Sequence, residues 1–297
     1  MNTCIKLIKR NVKLFFKDKG MLLTSLLTPI ILLVLYATFL ANVYQSSFTE
    51  DIPNSIHVSK SIIDGIVAGQ LMSSLLAVSC VTVAFSSNFL MVQDKANGTI
   101  KDFKTSPVKS SILSLSYYIA TLISTFIICI IAMCACLGYV YIKGWYMSSS
   151  DVIMLFLDVI LLILFGTALS SVINFFLTTQ GQIAAVGTMV GAGYGFICGA
   201  YMPISSFSEG IKKAIMLLPG TYGTSLVRNH SMNGALDELS KEGMPNMIMT
   251  SFKDVLDCNL YFFDKKVEIR TMYLILGITV VLLITVYILL NKFKKTN

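Results

Sequence analysis

Two stretches of this chain, Gly65 to Val92 and Ser110 to Ile142, contain no charged residue, and that absence constrains the fold more than any other feature. About 20 consecutive apolar residues cross the hydrocarbon core of a bilayer. In hydrocarbon every backbone polar group needs an internal partner, so such runs are helices or closed barrels, and their length here selects helices. Composition agrees: 13% of the 297 residues are charged and 55% hydrophobic, where a soluble domain is about 25% charged. The chain reads as an all-α integral membrane protein with a single transmembrane domain, 1–297.

Six transmembrane helices are predicted, at about 21–43, 62–92, 111–142, 152–177, 183–202 and 271–290. Residues 1–20 place Ile5, Ile8, Val12, Phe15 and Phe16 on one helical stripe and Lys6, Lys9, Arg10, Lys13 and Lys17 around the rest, the pattern of an amphipathic interfacial helix. The segments 1–20, 93–109, 177–182 and 291–297 hold thirteen Lys or Arg, the short loops 43–61 and 143–151 only two. That bias predicts a multi-pass protein of the plasma (cytoplasmic) membrane with both termini in the cytoplasm. The net charge of +7 is thereby an orientation signal in a lipid bilayer, and no nucleic-acid partner is implied. None of the seven cysteines forms a CxxC pair, and they read as small apolar side chains.

Three places stand out for function. The charged stretch 93–107, QDKANGTIKDFKTSP, is a cytoplasmic loop between spans 2 and 3. Asn97-Gly98 breaks the backbone, Ile100 and Phe103 fall at helical spacing, and Pro107 ends any helix there; Phe103 either rests on lipid or plugs into a partner. Span 4 carries Asp158, which has either a structural or snorkelling role or a substrate or ion role, since an intramembrane acid is by default a functional suspect. Span 5 carries Gly187, Gly191, Gly195 and Gly199, one every fourth residue, a small-residue face for helix packing or a hinge along a translocation path. After it, 203–228 reads as a segment dipping back into the outer leaflet, and 229–270 as a polar external loop or cap.

No phosphate loop, HExxH, GxSxG or paired Cys/His ligand set is present, and His57 and His230 both fall in external loops. The chain is therefore read as a non-enzyme with no cofactor or metal of its own. Uphill transport would draw on an ion gradient or on another subunit. Ion coupling places several partnered ionisable residues at mid-membrane, and Asp158 is the one candidate.

Asp94-Lys95-Ala96-Asn97-Gly98-Thr99-Ile100, followed by Thr105-Ser106-Pro107-Val108, resembles the loop between spans 2 and 3 in permeases of the type-2 ABC exporter class, although Ala96 stands where that loop usually has a second acid. Pro203-Ile204, then Leu218-Pro219-Gly220-Thr221-Tyr222 and Arg228, is similar to that family's re-entrant external segment after span 5. The resemblance implies a permease subunit of an ATP-driven exporter. In it Asp94, Gly98, Thr99, Ile100, Phe103 and Pro107 belong to a coupling helix that seats in an ABC ATPase, present in two copies and holding ATP and Mg. Pro203, Pro219 and Tyr222 belong to an external gate, and the permease forms a homodimer or a heterodimer with a related permease. A path nearly free of charge suits a drug, an antimicrobial peptide or a lipid-like molecule. Polysaccharide or glycolipid export by the same architecture, an ion-coupled secondary transporter, and a membrane-embedded enzyme or assembly factor are the alternatives.

Overall fold

A computed structural model describes residues 2–35, 38, 58–105, 108–263 and 265–293. Ser106, Pro107 and most of the 36–57 stretch, and with them part of the first span and of the loop that follows it, lie outside the described residues. The chain begins with α1 (Asn2–Lys17) and α2 (Lys19–Leu35), which meet at 71°. Asp18 makes that corner: its Oδ1 accepts from the backbone N–H of Gly20 and Met21 at 2.9 and 3.1 Å, satisfying donors that the first turn of α2 leaves unpaired.

The bundle is built around α3 (Lys60–Ala96). At 37 residues and 1.5 Å per residue it is about 55 Å long, and nearly all of it is buried. It is covered by α2, α5 (Ser110–Lys143), α6 (Ser149–Phe176) and α10 (Pro219–Lys241). A helix that presents small and apolar residues on all sides belongs at the centre of a bundle. The close approaches depend on glycine: a Cβ on Gly166 of α6 would lie 2.6 Å from the Cys80 carbonyl oxygen, and one on Gly69 would lie 2.7 Å from the Ser231 carbonyl oxygen of α10.

Four described helices, α3, α5, α6 and α12 (Ile269–Phe293), are long and apolar enough to cross a membrane, and the bent α1–α2 pair makes up to five. The stretch predicted as span 5 is helical from Gln180 to Ile197 but broken in character. α7 (Gln180–Thr188) runs into a π-helical turn at Met189–Gly193 and then the single turn α8 (Tyr194–Ile197). A π turn inserts a residue into the ladder, so the fourth-residue register of its glycines does not make one continuous face. A Cβ on Gly187 would touch Phe89, one on Gly191 would meet nothing within 4 Å, one on Gly195 would strike the Tyr201 ring, and Gly199 has φ +71°. Of the four, Gly187 alone faces another described helix, α3, through Phe89.

The region after residue 203 also departs from the sequence expectation. A 3₁₀ turn (Ile204–Ser206) and α9 (Glu209–Ile215) lead into α10, which runs unbroken through the boundary expected at 228/229. Met232, Ala235, Leu236 and Leu239 are buried, at the spacing of one helical face. α11 (Asn246–Val255) and a two-stranded hairpin, β1 (Leu260–Phe262) with β2 (Lys265–Val267), complete this end. The described chain is otherwise almost entirely helical, and the hairpin pairs Leu260 with Val267, both buried.

Candidate functional site

Where α3 ends, three helices are tied by side chains distant in sequence. Asp94, in its last turn, is 6% exposed. Arg10 of α1 reaches it with both guanidinium nitrogens, at 2.7 and 3.2 Å, a forked pairing that fixes direction as well as charge. The Tyr117 hydroxyl of α5 donates to the same carboxylate at 2.5 Å. Neighbouring Asn11 accepts from Arg10 at 2.8 Å and reaches the Ser116 hydroxyl at 3.5 Å. The stripe of α1 that packs on the bundle is accordingly Leu7, Asn11 and Phe15, while Ile5 is exposed, a rotation from the purely apolar stripe expected from sequence. One residue on, Lys95 Nζ donates to the carbonyls of Asn174, Phe175 and Leu177 at 2.8 to 3.0 Å and so closes the C-terminus of α6, where a cation also favours the helix dipole.

Gly98 then takes φ +81°, a left-handed turn that glycine adopts without a Cβ penalty, and α4 (Thr99–Thr105) follows. Ile100 and Phe103 pack partly buried against the bundle, and the Arg10 guanidinium lies 5.2 Å from the centre of the Phe103 ring. Ala96, Asn97, Lys101, Asp102 and Thr105 are exposed. Asp94 is thus tied within its own chain, and Phe103 is seated partly on the bundle. Pro107 lies outside the described residues.

At the opposite end Arg228 and Asp257 form a buried pair, Nη1 to Oδ2 2.9 Å, with side chains 1% and 5% exposed. Arg228 also donates to the Gly199 carbonyl, and Asp257 accepts from the Ile204 backbone N–H at 3.0 Å. Burial pushes the Asp257 carboxyl up to about 6, with the Arg228 charge opposing. Ser225 and Asn229 hold the carbonyls of 257 and 258 at 2.7 to 3.1 Å. Residues 199–204, 225–229 and 257–258 are thereby one fastened unit. Beside it, Pro203 precedes the 3₁₀ turn and Pro219 opens α10, where its missing N–H costs nothing. Tyr222 donates to the Met216 carbonyl at 2.6 Å, tying the end of α9 to the first turn of α10.

Asp158 is 1% exposed and does not reach solvent. His230 Nδ1 lies 2.6 Å from its Oδ2, and the Tyr273 hydroxyl bonds Oδ1, so α6, α10 and α12 meet there. His230 is therefore not a loop residue. Arg10, Tyr117, His230, Asp257 and Tyr273 escaped sequence reasoning because each pairs with a residue on another element. The available signal was modest: Arg10 is the lone arginine among the lysines of α1, and arginine favours forked ion pairs.

The family model described as ABC-2 type transporter matches residues 3–230 of the chain, which spans α1 through the Asp158–His230 contact. No curated protein matches it.

Proposed function

The chain belongs to the ABC-2 type transporter family, and from that premise we propose that it is the permease of an ATP-driven exporter that moves an apolar or amphipathic molecule, such as a drug, an antimicrobial peptide or a lipid-like compound, out of the cell. It is a membrane-spanning transport subunit and not a catalytic one. In the proposed complex two copies of a separate ABC ATPase bind ATP and Mg, and two permeases, alike or related, enclose the path. The chain crosses the plasma membrane six times, with α2 and the Gln180–Ile197 helix in spans 1 and 5, α1 along the cytoplasmic surface and both termini in the cytoplasm.

The observation that carries this reading is the joint at the end of α3. A buried rod continues almost directly into the short helix α4, whose polar residues Lys101 and Asp102 are exposed while its apolar ones are seated on the bundle. A partner closing on α4 would push α3 lengthwise, and Arg10, Asp94 and Tyr117 would carry the load to α1 and α5. A dimer is supported by the apolar groove of about 470 Å³ between α2 and the 180–197 helix, where Gly191, Phe196 and Tyr201 face Ile31 and Leu35. α3 is covered by its own chain, so the path is assigned to the face of the 180–197 helix. The Arg228–Asp257 unit with Pro203, Pro219 and Tyr222 is the external gate.

The test is affinity purification of the tagged chain from its native membranes. The wild type brings down ATP hydrolysis, the chain stripped of partners has none, and the charge reversal Lys101→Glu with Asp102→Lys inserts normally but loses the co-purified activity. Equal hydrolysis with both proteins would remove α4 as the docking element.

A further inference from the structure

The first turns of α5 and the last turns of α12 enclose a groove of about 440 Å³ that the transport reading does not use. Its floor is rigid. The rings of Tyr118 and Tyr287 stack with centroids 5.9 Å apart, the Tyr287 hydroxyl donates to the Ser114 carbonyl at 3.2 Å, and the Ser114 hydroxyl donates to Asn291 at 2.5 Å. Polarity is graded along the groove. Leu115, Ile284 and Ile288 line one part, and Ser111, Asn291 and Lys292 line the end where α12 runs out. Leu115 and Ile288 are well exposed.

Two observations say what the groove takes. The first is charge. Lys292 stands at its polar end and Lys109 is the N-cap of α5, while no acid occurs between Val108 and Ser150 or anywhere after Glu268. Neither helix supplies a counter-charge, so the polar end suits an anion. The second is the Tyr118 hydroxyl, which is buried in the lining and has no hydrogen-bond partner among the described residues. A buried unpaired hydroxyl costs about 1 to 3 kcal/mol, and an oxygen-rich ligand removes that cost. An apolar trough ending in a cation, hydroxyls and an amide is the chemistry of one amphiphile: an acyl chain with a negatively charged head.

We propose that the α5–α12 groove is a binding site for an anionic phospholipid. The headgroup phosphate sits against Lys292, Asn291 and Ser111, an acyl chain lies along Leu115, Ile284 and Ile288, and the Tyr118 hydroxyl donates to a lipid oxygen. The site requires only that α5 and α12 cross the bilayer, and it stands or falls independently of the ATPase and of the cargo.

The experiment is native mass spectrometry of the full chain in detergent, titrated with phosphatidylglycerol and with phosphatidylcholine of the same acyl chains. Phosphatidylglycerol is expected to be retained preferentially. Lys292→Gln, at an exposed position, is expected to weaken that retention about tenfold, the loss of one charge-assisted hydrogen bond. Tyr118→Phe is expected to weaken it about threefold, the loss of one neutral bond. Unchanged phosphatidylcholine retention in both variants establishes that the fold survives. Equal retention of the two lipids by the wild type would reduce the groove to ordinary lipid contact and overturn the proposal, as would full phosphatidylglycerol retention by both variants. Efficient crosslinking of Ile288→Cys between two copies in native membranes would also overturn it, by assigning the groove to a second permease.

Discussion

An arginine and an aspartate fasten each end of the helix bundle, and the two pairs are built differently. Arg228 and Asp257 are almost wholly excluded from water, with side chains 1% and 5% exposed, and their remaining bonds go to the backbone of 199 and 204. The side chains of Arg10 and Asp94 are 30% and 9% exposed, and their partners are side chains on other helices, with Phe103 of α4 beneath the guanidinium. A dry pair that pins backbone has one good geometry. A wetter pair made of side chains, resting on a short exposed helix, has alternatives of similar energy. The comparison teaches that the cap end is fixed by its charges, whereas the α4 end is joined by them in a way that displacement of α4 can alter.

The largest effect is expected from breaking the dry pair on one side. Asp257→Ala leaves Arg228 buried without its counter-charge and should cost about 3 to 5 kcal/mol, read as a fall in the thermal midpoint of the purified protein and as protease cutting near Lys253. The double variant Arg228→Gln with Asp257→Asn, which removes both charges yet keeps polar groups toward the Gly199 carbonyl and the Ile204 N–H, should recover much of that loss, since no uncompensated buried charge remains. If the single variant behaves like the wild type, the cap does not depend on this pair and the contrast fails.

A smaller effect is expected at the other end. Asp94→Asn keeps the shape and removes the charge. With Arg10 partly in water, screening limits the cost to about 1 kcal/mol. Its effect on co-purified ATP hydrolysis should exceed that of the cap double variant, although its effect on stability is smaller. Similar hydrolysis in both would mean that neither pair transmits anything.

The smallest effect sharpens the picture of the same end. Lys95→Met removes three bonds to the last carbonyls of α6 and should cost about 0.5 to 1 kcal/mol in thermal stability, with the stacked Phe175 contact partly kept by the methionine. A loss as large as that of Asp257→Ala would show that the α4 end is as rigidly held as the cap.

Much of this molecule is written in runs of residues that need no partner to be understood. The long apolar stretches dictate α3, α5, α6 and α12, because hydrocarbon forbids unsatisfied backbone. The amphipathic stretch 2–17, the break at Asn97-Gly98 and the capping pair Thr179 and Gln182 before α7 are local too, since their causes lie within a few residues. The cap was less legible: residues 229–270 read as a polar loop, because beyond Arg228 the buried apolar residues of α10 are only Met232, Ala235, Leu236 and Leu239, set among charges.

The candidate site was only partly legible for the same reason. Asp94, Asp158 and Arg228 stand out as charges near apolar runs, but what each does depends on a residue 84, 72 and 29 positions away, and no spacing rule reaches that far. The glycines show the converse. Their fourth-residue pattern in 187–199 suggested a packing face, yet Gly195 and Gly199 meet nearby side chains while Gly166 and Gly69 meet the backbone of other helices, because what a missing Cβ permits depends on what lies opposite. The sequence by itself determined that this is a helical membrane protein of the transporter class and where most of its helices run, since burial in lipid is a property of single segments. The tertiary structure alone decided which charges meet and which helix lies at the centre, since those depend on pairs of segments brought together only by folding.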